Sequence, residues 1–258
     1  MKRLLSRCLV PFSMATALPL LFAHAEEPVP PAKDATAAKA SFTDPKAAYR
    51  SYIEAIRAMD LTAALKCWSY EPEQEEAMKV VAGVWISHRR FEKAVDAVPE
   101  IKAEKKILEG YIRPDVTDKA LDAAVAILST AEVKENGGMA ELLIKWDDKP
   151  QGSPDPEEIF LSGNQPAFVK ADGGWKLTPV SDQGNLLGDG DFFAEGGWGR
   201  MLRDGVAMLD EASGKLEKGE IKTFAGLKAL MGEREKAMKE RNEQEKQNLK
   251  ANEKPRPQ

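Results

Sequence analysis

Two cysteines and two histidines in 258 residues leave little material for metal binding or nucleophilic chemistry. Long apolar runs are also missing. The longest candidate, Cys8 to Phe22, spans 15 residues, short of the roughly 20 that a membrane-crossing helix needs. Lys2, Arg3 and Arg7 give it a positive head, and Ala23-His24-Ala25 follows with the small-x-small pattern of a processing site. These features predict a signal peptide over 1–25, cleaved after Ala25, an exported chain (periplasmic or extracellular) and no integral membrane span after processing. Cleavage removes Cys8 and His24, so only Cys67 and His88 remain. That excludes an intramolecular disulfide, a zinc site built on several His or Cys residues, and any mechanism needing two histidines. A Cys67–His88 nucleophile–base pair stays open. The apolar context Ala64-Leu65-Lys66-Cys67-Trp68 reads more simply as a buried structural thiol.

An excess of positive charge is lacking too. The chain holds 37 basic and 42 acidic residues; removing the three basic residues of 1–25 leaves 34 against 42, a net charge of −8. No basic stripe is present to track phosphates, so nucleic acid is not an expected partner.

What is there divides into segments. Residues 26–41, with Pro28, Pro30 and Pro31 and no aromatic anchor, read as a disordered linker. Folding is expected to begin at Phe42. Thr43 or Asp44 caps a helix with Pro45 in its first turn, where a missing N–H costs nothing. Tyr49, Tyr52, Ile53, Ile56 and Met59 recur at helical spacing and give it one apolar face. Asp60 closes this helix and caps a second, Leu61 to Trp68. A third starts near Pro72, with Ala77, Met78, Val81, Val84, Trp85, His88, Phe91 and Val95 as its apolar side, and Pro99 stops or bends it. His88 then lies on the inward stripe or its edge, as a hydrogen-bonded core histidine. Glu100 to Gly110 and Asp118 to Leu128, the latter capped by Thr117, are also read as helical.

The period changes from 3.6 to 2 after Ser129. Asn136-Gly137-Gly138 signals a hairpin, and Ala140, Leu142, Ile144 and Trp146 share one face of its return strand. Asp147 to Glu157 reads as a loop and Ile159-Phe160-Leu161 as a further strand. Phe168-Val169-Lys170 then leads through a Gly173-Gly174 turn into Trp175-Lys176-Leu177. Residues 182–199 are Gly-rich. Gly188-Asp189-Gly190-Asp191 invites a calcium reading but fails the spacing of a calcium loop, and Phe192, Phe193 and Trp198 suggest aromatics folded back on the domain. Residues 200–232 read as a helical hairpin; its stripes are Leu202, Val206, Leu209, Ala212, Leu216 and, running on past its end, Phe224, Leu227, Met231, Met238. Such stripes pack on each other, on the domain or on a second chain. Residues 233–258 form a charged helical or disordered tail, with six acidic and seven basic residues between Glu233 and Lys254.

Thr43-Asp44-Pro45-Lys46-Ala47-Ala48-Tyr49 with Asp60-Leu61-Thr62-Ala63-Ala64-Leu65, and Phe168-Val169-Lys170-Ala171-Asp172-Gly173-Gly174-Trp175-Lys176-Leu177, resemble the two ends of an NTF2-like (cystatin-like cone) domain over roughly residues 42–181. The resemblance implies an α+β fold with N-terminal helices packed on a curved antiparallel sheet. It also implies a cavity that members use for catalysis, ligand binding or dimerisation. Tyr52, Trp68, Trp85 and Trp146 are the candidates to line it. The tyrosine and paired acids of the ketosteroid-isomerising members do not carry over residue by residue, so no catalytic residue, cofactor or metal ligand is assigned. The expected function is that of an exported, non-catalytic protein binding another protein or a small apolar ligand, with a tail that can mediate homo-oligomer formation. The alternative is a metal-free lyase or isomerase using acid–base chemistry in the cone. A purely structural interaction role comes third.

Overall fold

Asp44 and Asp60 fix the start of the body. The computed structural model of the chain describes residues 40–108, 110–112, 116–144, 166–181, 184–187, 192–193 and 198–252. All belong to one compact unit, Ala37–Gln258. Asp44 accepts from the Ala47 N–H and caps α1 (Pro45–Ala58); Asp60 accepts from the Ala63 N–H and caps α2 (Leu61–Lys66). Between them Met59 adopts φ 57° and its N–H returns to the last turn of α1, a left-handed stop of the kind that ends many helices. A short 3-10 turn, Pro72–Gln74, leads into α3 (Glu75–Asp96), the 22-residue axis of the molecule. Val98 is extended ahead of Pro99, as the ring of a following proline demands. The expected single helix over 100–110 is instead two pieces, α4 (Pro99–Ala103), ended at Glu104, and a 3-10 turn at Lys105–Leu108. Thr117 caps α5 (Asp118–Thr130).

The strands follow, and the described body is α+β. β1 (Glu132–Asn136), β2 (Met139–Leu143), β3 (Ala167–Ala171) and β4 (Gly174–Leu177) form an antiparallel sheet in the order β1-β2-β3-β4. Both tight turns use two residues of positive φ, Gly137-Gly138 and Asp172-Gly173, which matches the twist of the flanking strands. The second turn is thus one residue earlier than the Gly173-Gly174 pair expected from sequence. Gly174 opens β4 instead, for a steric reason: a Cβ there would sit 2.7 Å from the Phe42 Cβ and 3.0 Å from its carbonyl oxygen. Phe42 runs so close because its carbonyl accepts from the Trp175 N–H at 2.8 Å. The register Ala140↔Phe168↔Leu177 puts Ala140, Leu142, Phe168, Trp175 and Leu177 on one face, and all five are buried. The candidate strand Ile159-Phe160-Leu161, the loop 147–157 and the Asp189/Asp191 motif lie outside the described residues. A short ladder, β5 (Val180–Ser181) with β6 (Gly184–Asn185), follows β4.

Two apolar clusters hold the body. In the first, α1 lays Tyr49, Tyr52, Ile53 and Ile56 against the sheet, with α5 and the first half of α3 beside it. In the second, Phe91, Val95 and Ile101 meet Leu209, Ala212 and Leu216 of α6 (Trp198–Glu217) and Leu227 and Met231 of α7 (Phe224–Asn252). The most extensive helix–helix packing is that of α3 with α6. With α1 and α6 both packed on α3, residues outside its expected apolar stripe are buried as well, Val80, Ala82, Ile86 and Arg89 among them. Helix α7 runs back along α6, linked by Arg234 to Glu211 at 2.7 Å and by Arg241 to Asp204. Phe192 is buried in the first cluster, with its ring edge-on to Phe193 at 5.0 Å, as the aromatic content of that stretch suggested.

Candidate functional site

The first turns of α1 aim two tyrosines at the sheet. Tyr49 and Tyr52, three residues apart and so on one face, sit edge-to-face at 5.9 Å, and Tyr49 meets Phe168 of β3 in the same way at 6.2 Å. Trp68 enters from the end of α2. Its position is fixed by backbone pairing: the Leu177 N–H donates to the Cys67 carbonyl at 2.8 Å and the Ser69 N–H to the Leu177 carbonyl at 2.7 Å. Residues 67–69 and Phe42 together cover the edge of β4 away from β3, which removes an open row of ladder groups. The indole of Trp68 thereby stands perpendicular to the Tyr52 ring with centroids 5.6 Å apart.

Tyr52 Oη and Trp68 Nε1 are buried without a hydrogen-bond partner. Burial pushes the Tyr52 phenol far above its ordinary range. The neighbouring Cys67 thiol adds to this and the Trp68 indole N–H opposes it. That N–H is close enough to act on the phenol without meeting the geometry of a hydrogen bond. Tyr49 is raised as well, by burial first and then by Tyr52. Both hydroxyls are therefore neutral at physiological pH.

Cys67 completes the group. Its Sγ donates to the Ala63 carbonyl at 3.3 Å, and burial lifts the thiol to about 12, with Lys176 opposing. His88 makes a separate bond, Nδ1 donating to the Tyr111 carbonyl at 2.7 Å. The structure does not bring thiol and imidazole together as nucleophile and base. In the native protein a thiol-reactive disulfide reagent at pH 8 is expected to label Cys67 about a hundredfold or more slowly than in urea, because the thiolate is the reactive form. Comparable rates in the two conditions would show that the thiol is not buried.

Of the four candidate cavity residues, Tyr52 and Trp68 are in contact. Trp85 on α3 is buried in the same cluster, and Trp146 lies outside the described residues. A shallow groove of about 240 Å³ lies outside this core, over the β3–β4 turn, between Phe42, Thr43, Asp172 and Lys176. Its charges satisfy each other, Lys176 donating to Asp172 at 2.6 Å and holding that carboxyl below its usual range.

The polar feature that sequence reasoning missed is Arg89. Only 3% exposed, it donates to the Arg57 carbonyl at 2.9 Å, to the Val116 carbonyl at 2.7 Å and to Asp118, the first residue of α5. It ties the end of α1 and the start of α5 to α3. Among the described residues no group of three or more His, Cys, Asp or Glu is arranged to hold a metal ion, and no helix is long and apolar enough to cross a membrane.

These elements define the class: an α+β protein in which helices pack on an antiparallel four-stranded sheet. No family model matches the chain, and neither a curated protein nor a solved structure does.

Proposed function

We propose that the chain is an exported, non-catalytic binding or interaction protein, with an NTF2-like cone whose helix-facing interior receives a small ligand and a charged C-terminal helix that associates with a second chain. The observation carrying the reading is the pair of unpartnered buried donors, Tyr52 Oη and Trp68 Nε1. Hydrogen-bonding groups left over in an apolar interior suit recognition. Acid–base chemistry would ask for a carboxylate or an imidazole beside the tyrosine, whereas the groups acting on Tyr52 are a thiol kept protonated by burial and an indole. Three acidic residues of the helices, Asp118, Glu211 and Glu217, are engaged elsewhere, in pairs with arginines or lysines at the surface.

Helix α7 supports the second half of the reading. Leu227, Leu230 and Met231 anchor its start, but from Gly232 to Gln244 only Glu235 and Met238 are even half-buried. An exposed helix so long is a surface for another chain. Light scattering tests this on the processed full-length protein and on a variant ending at Arg241, which keeps the anchoring residues and both arginine links to α6. We expect a mass above that of the monomer for the first and the monomer mass for the second. Equal masses would overturn the role assigned to the tail.

A further inference from the structure

Buried polar groups in folded proteins almost always have partners, ordered water included. Two neighbouring exceptions in one apolar core therefore call for a common cause. Tyr52 is 0% exposed and Trp68 3%, and their rings stand edge-on at 5.6 Å. An indole N–H can only donate, whereas a phenol O–H can donate or accept. Whatever satisfies both must offer an oxygen lone pair to the indole and take or return one bond with the phenol. A cation cannot do this. An anion would need a counter-charge, and Lys176, the cation that acts on Cys67, is already paired with Asp172. The phenol itself stays neutral because burial raises it. The thiol of Cys67 is the other polar neighbour, and its hydrogen is already committed to the Ala63 carbonyl.

We propose that Tyr52 Oη and Trp68 Nε1 together bind one neutral oxygen, supplied either by an internal water or by the carbonyl or hydroxyl group of a small apolar ligand. The organic source rests on the binding reading above; the water source does not.

The test uses the processed full-length protein and Tyr52→Phe, which deletes one oxygen and keeps the ring. An unpartnered buried hydroxyl is a liability, so without a guest its removal leaves Tm unchanged or raises it. With the oxygen bound, Tm falls by about 2–4 °C. Two further measurements separate the sources. Magnetisation transfer between water and the Trp68 indole N–H, lost in Tyr52→Phe, identifies a water. A bound small molecule in native mass spectra of the wild type, absent from Tyr52→Phe, identifies an organic ligand. An unchanged or higher Tm overturns the proposal, as does a fall in Tm accompanied by neither signal, which would mean that phenol and indole bond each other directly. A monomer mass in light scattering fails the tail assignment alone and leaves this result standing.

Discussion

Replacing Arg89 by methionine is expected to destabilise the fold by about 3 kcal/mol or more, read from chemical denaturation of the two proteins. The side chain fills its site almost completely, and its guanidinium serves three acceptors on three elements: the Arg57 carbonyl at the end of α1, the Val116 carbonyl, and Asp118 at the start of α5. Methionine keeps much of the volume but leaves two carbonyls without a donor, each worth roughly 1–3 kcal/mol when buried. Removing one partner of a buried ion pair typically costs about 3–5 kcal/mol. The lower end applies here, because Asp118 is about half exposed and retains Lys93 at 2.9 Å. Lysine at position 89 should recover little, since a point charge cannot reproduce a three-way planar fork. The pH dependence has a definite sign. Burial alone would raise the Asp118 carboxyl, but bonds from Lys93 and Arg89 overcome this and hold it at about 2. A carboxylate depressed on folding contributes stability above its unfolded value near 3.8, and that contribution is lost as the pH falls through about 2. The gap between wild type and variant should therefore be full above about pH 4 and narrow below it. A constant gap down to pH 2 would mean that Asp118 does not take part.

Signals that act over three or four residues were legible in the sequence. Asp44, Asp60 and Thr117 cap the helices they were expected to cap, because an N-cap needs only the two or three N–H groups that follow it. The Tyr49/Tyr52/Ile53/Ile56 stripe faces the core for the same local reason. What could not be read depends on chain returning from far away. The periodic pattern gives α3 one apolar face, yet Ile86 is buried outside it and Arg89 is buried by its bonds to the end of α1 and the start of α5, while α6, more than a hundred residues later in the chain, packs along the same helix. Gly174 looked like half of a turn because nothing near it in sequence shows that Phe42 crosses there. At the candidate site, the aromatic content was visible and the pairing of Tyr52 with Trp68 was not. That pairing follows from residues 67–69 docking on Leu177, over a hundred positions away.

Phe91→Ala, in the second apolar cluster, is expected to lower the unfolding midpoint of the first cluster as much as its own. Phe91 is fully buried among Leu209, Leu216 and Leu227, and truncating a buried phenylalanine costs about 3–5 kcal/mol. For a chain of this size that lowers Tm by about 6–20 °C. The informative question is which probe reports the loss. Trp68, Trp85 and Trp175 lie in the first cluster, so with Trp146 and Trp198 replaced by phenylalanine in both proteins fluorescence reads that cluster, while helical circular dichroism reads the whole molecule. The two clusters share α3 without a break, Met78, Val81 and Trp85 facing one and Phe91, Ala94 and Val95 the other. Where they meet, Arg89 binds α1 and α5, and the adjacent Arg90 binds Glu217 of α6 at 2.8 Å. Opening either cluster thus disrupts a helix that the other needs, which is the condition for a single cooperative transition. Fluorescence and dichroism midpoints should coincide in Phe91→Ala, both displaced. If the fluorescence midpoint stayed at its wild-type value while dichroism fell early, the helices α6 and α7 would be an independently melting layer, and the continuity of α3 would not couple the two clusters.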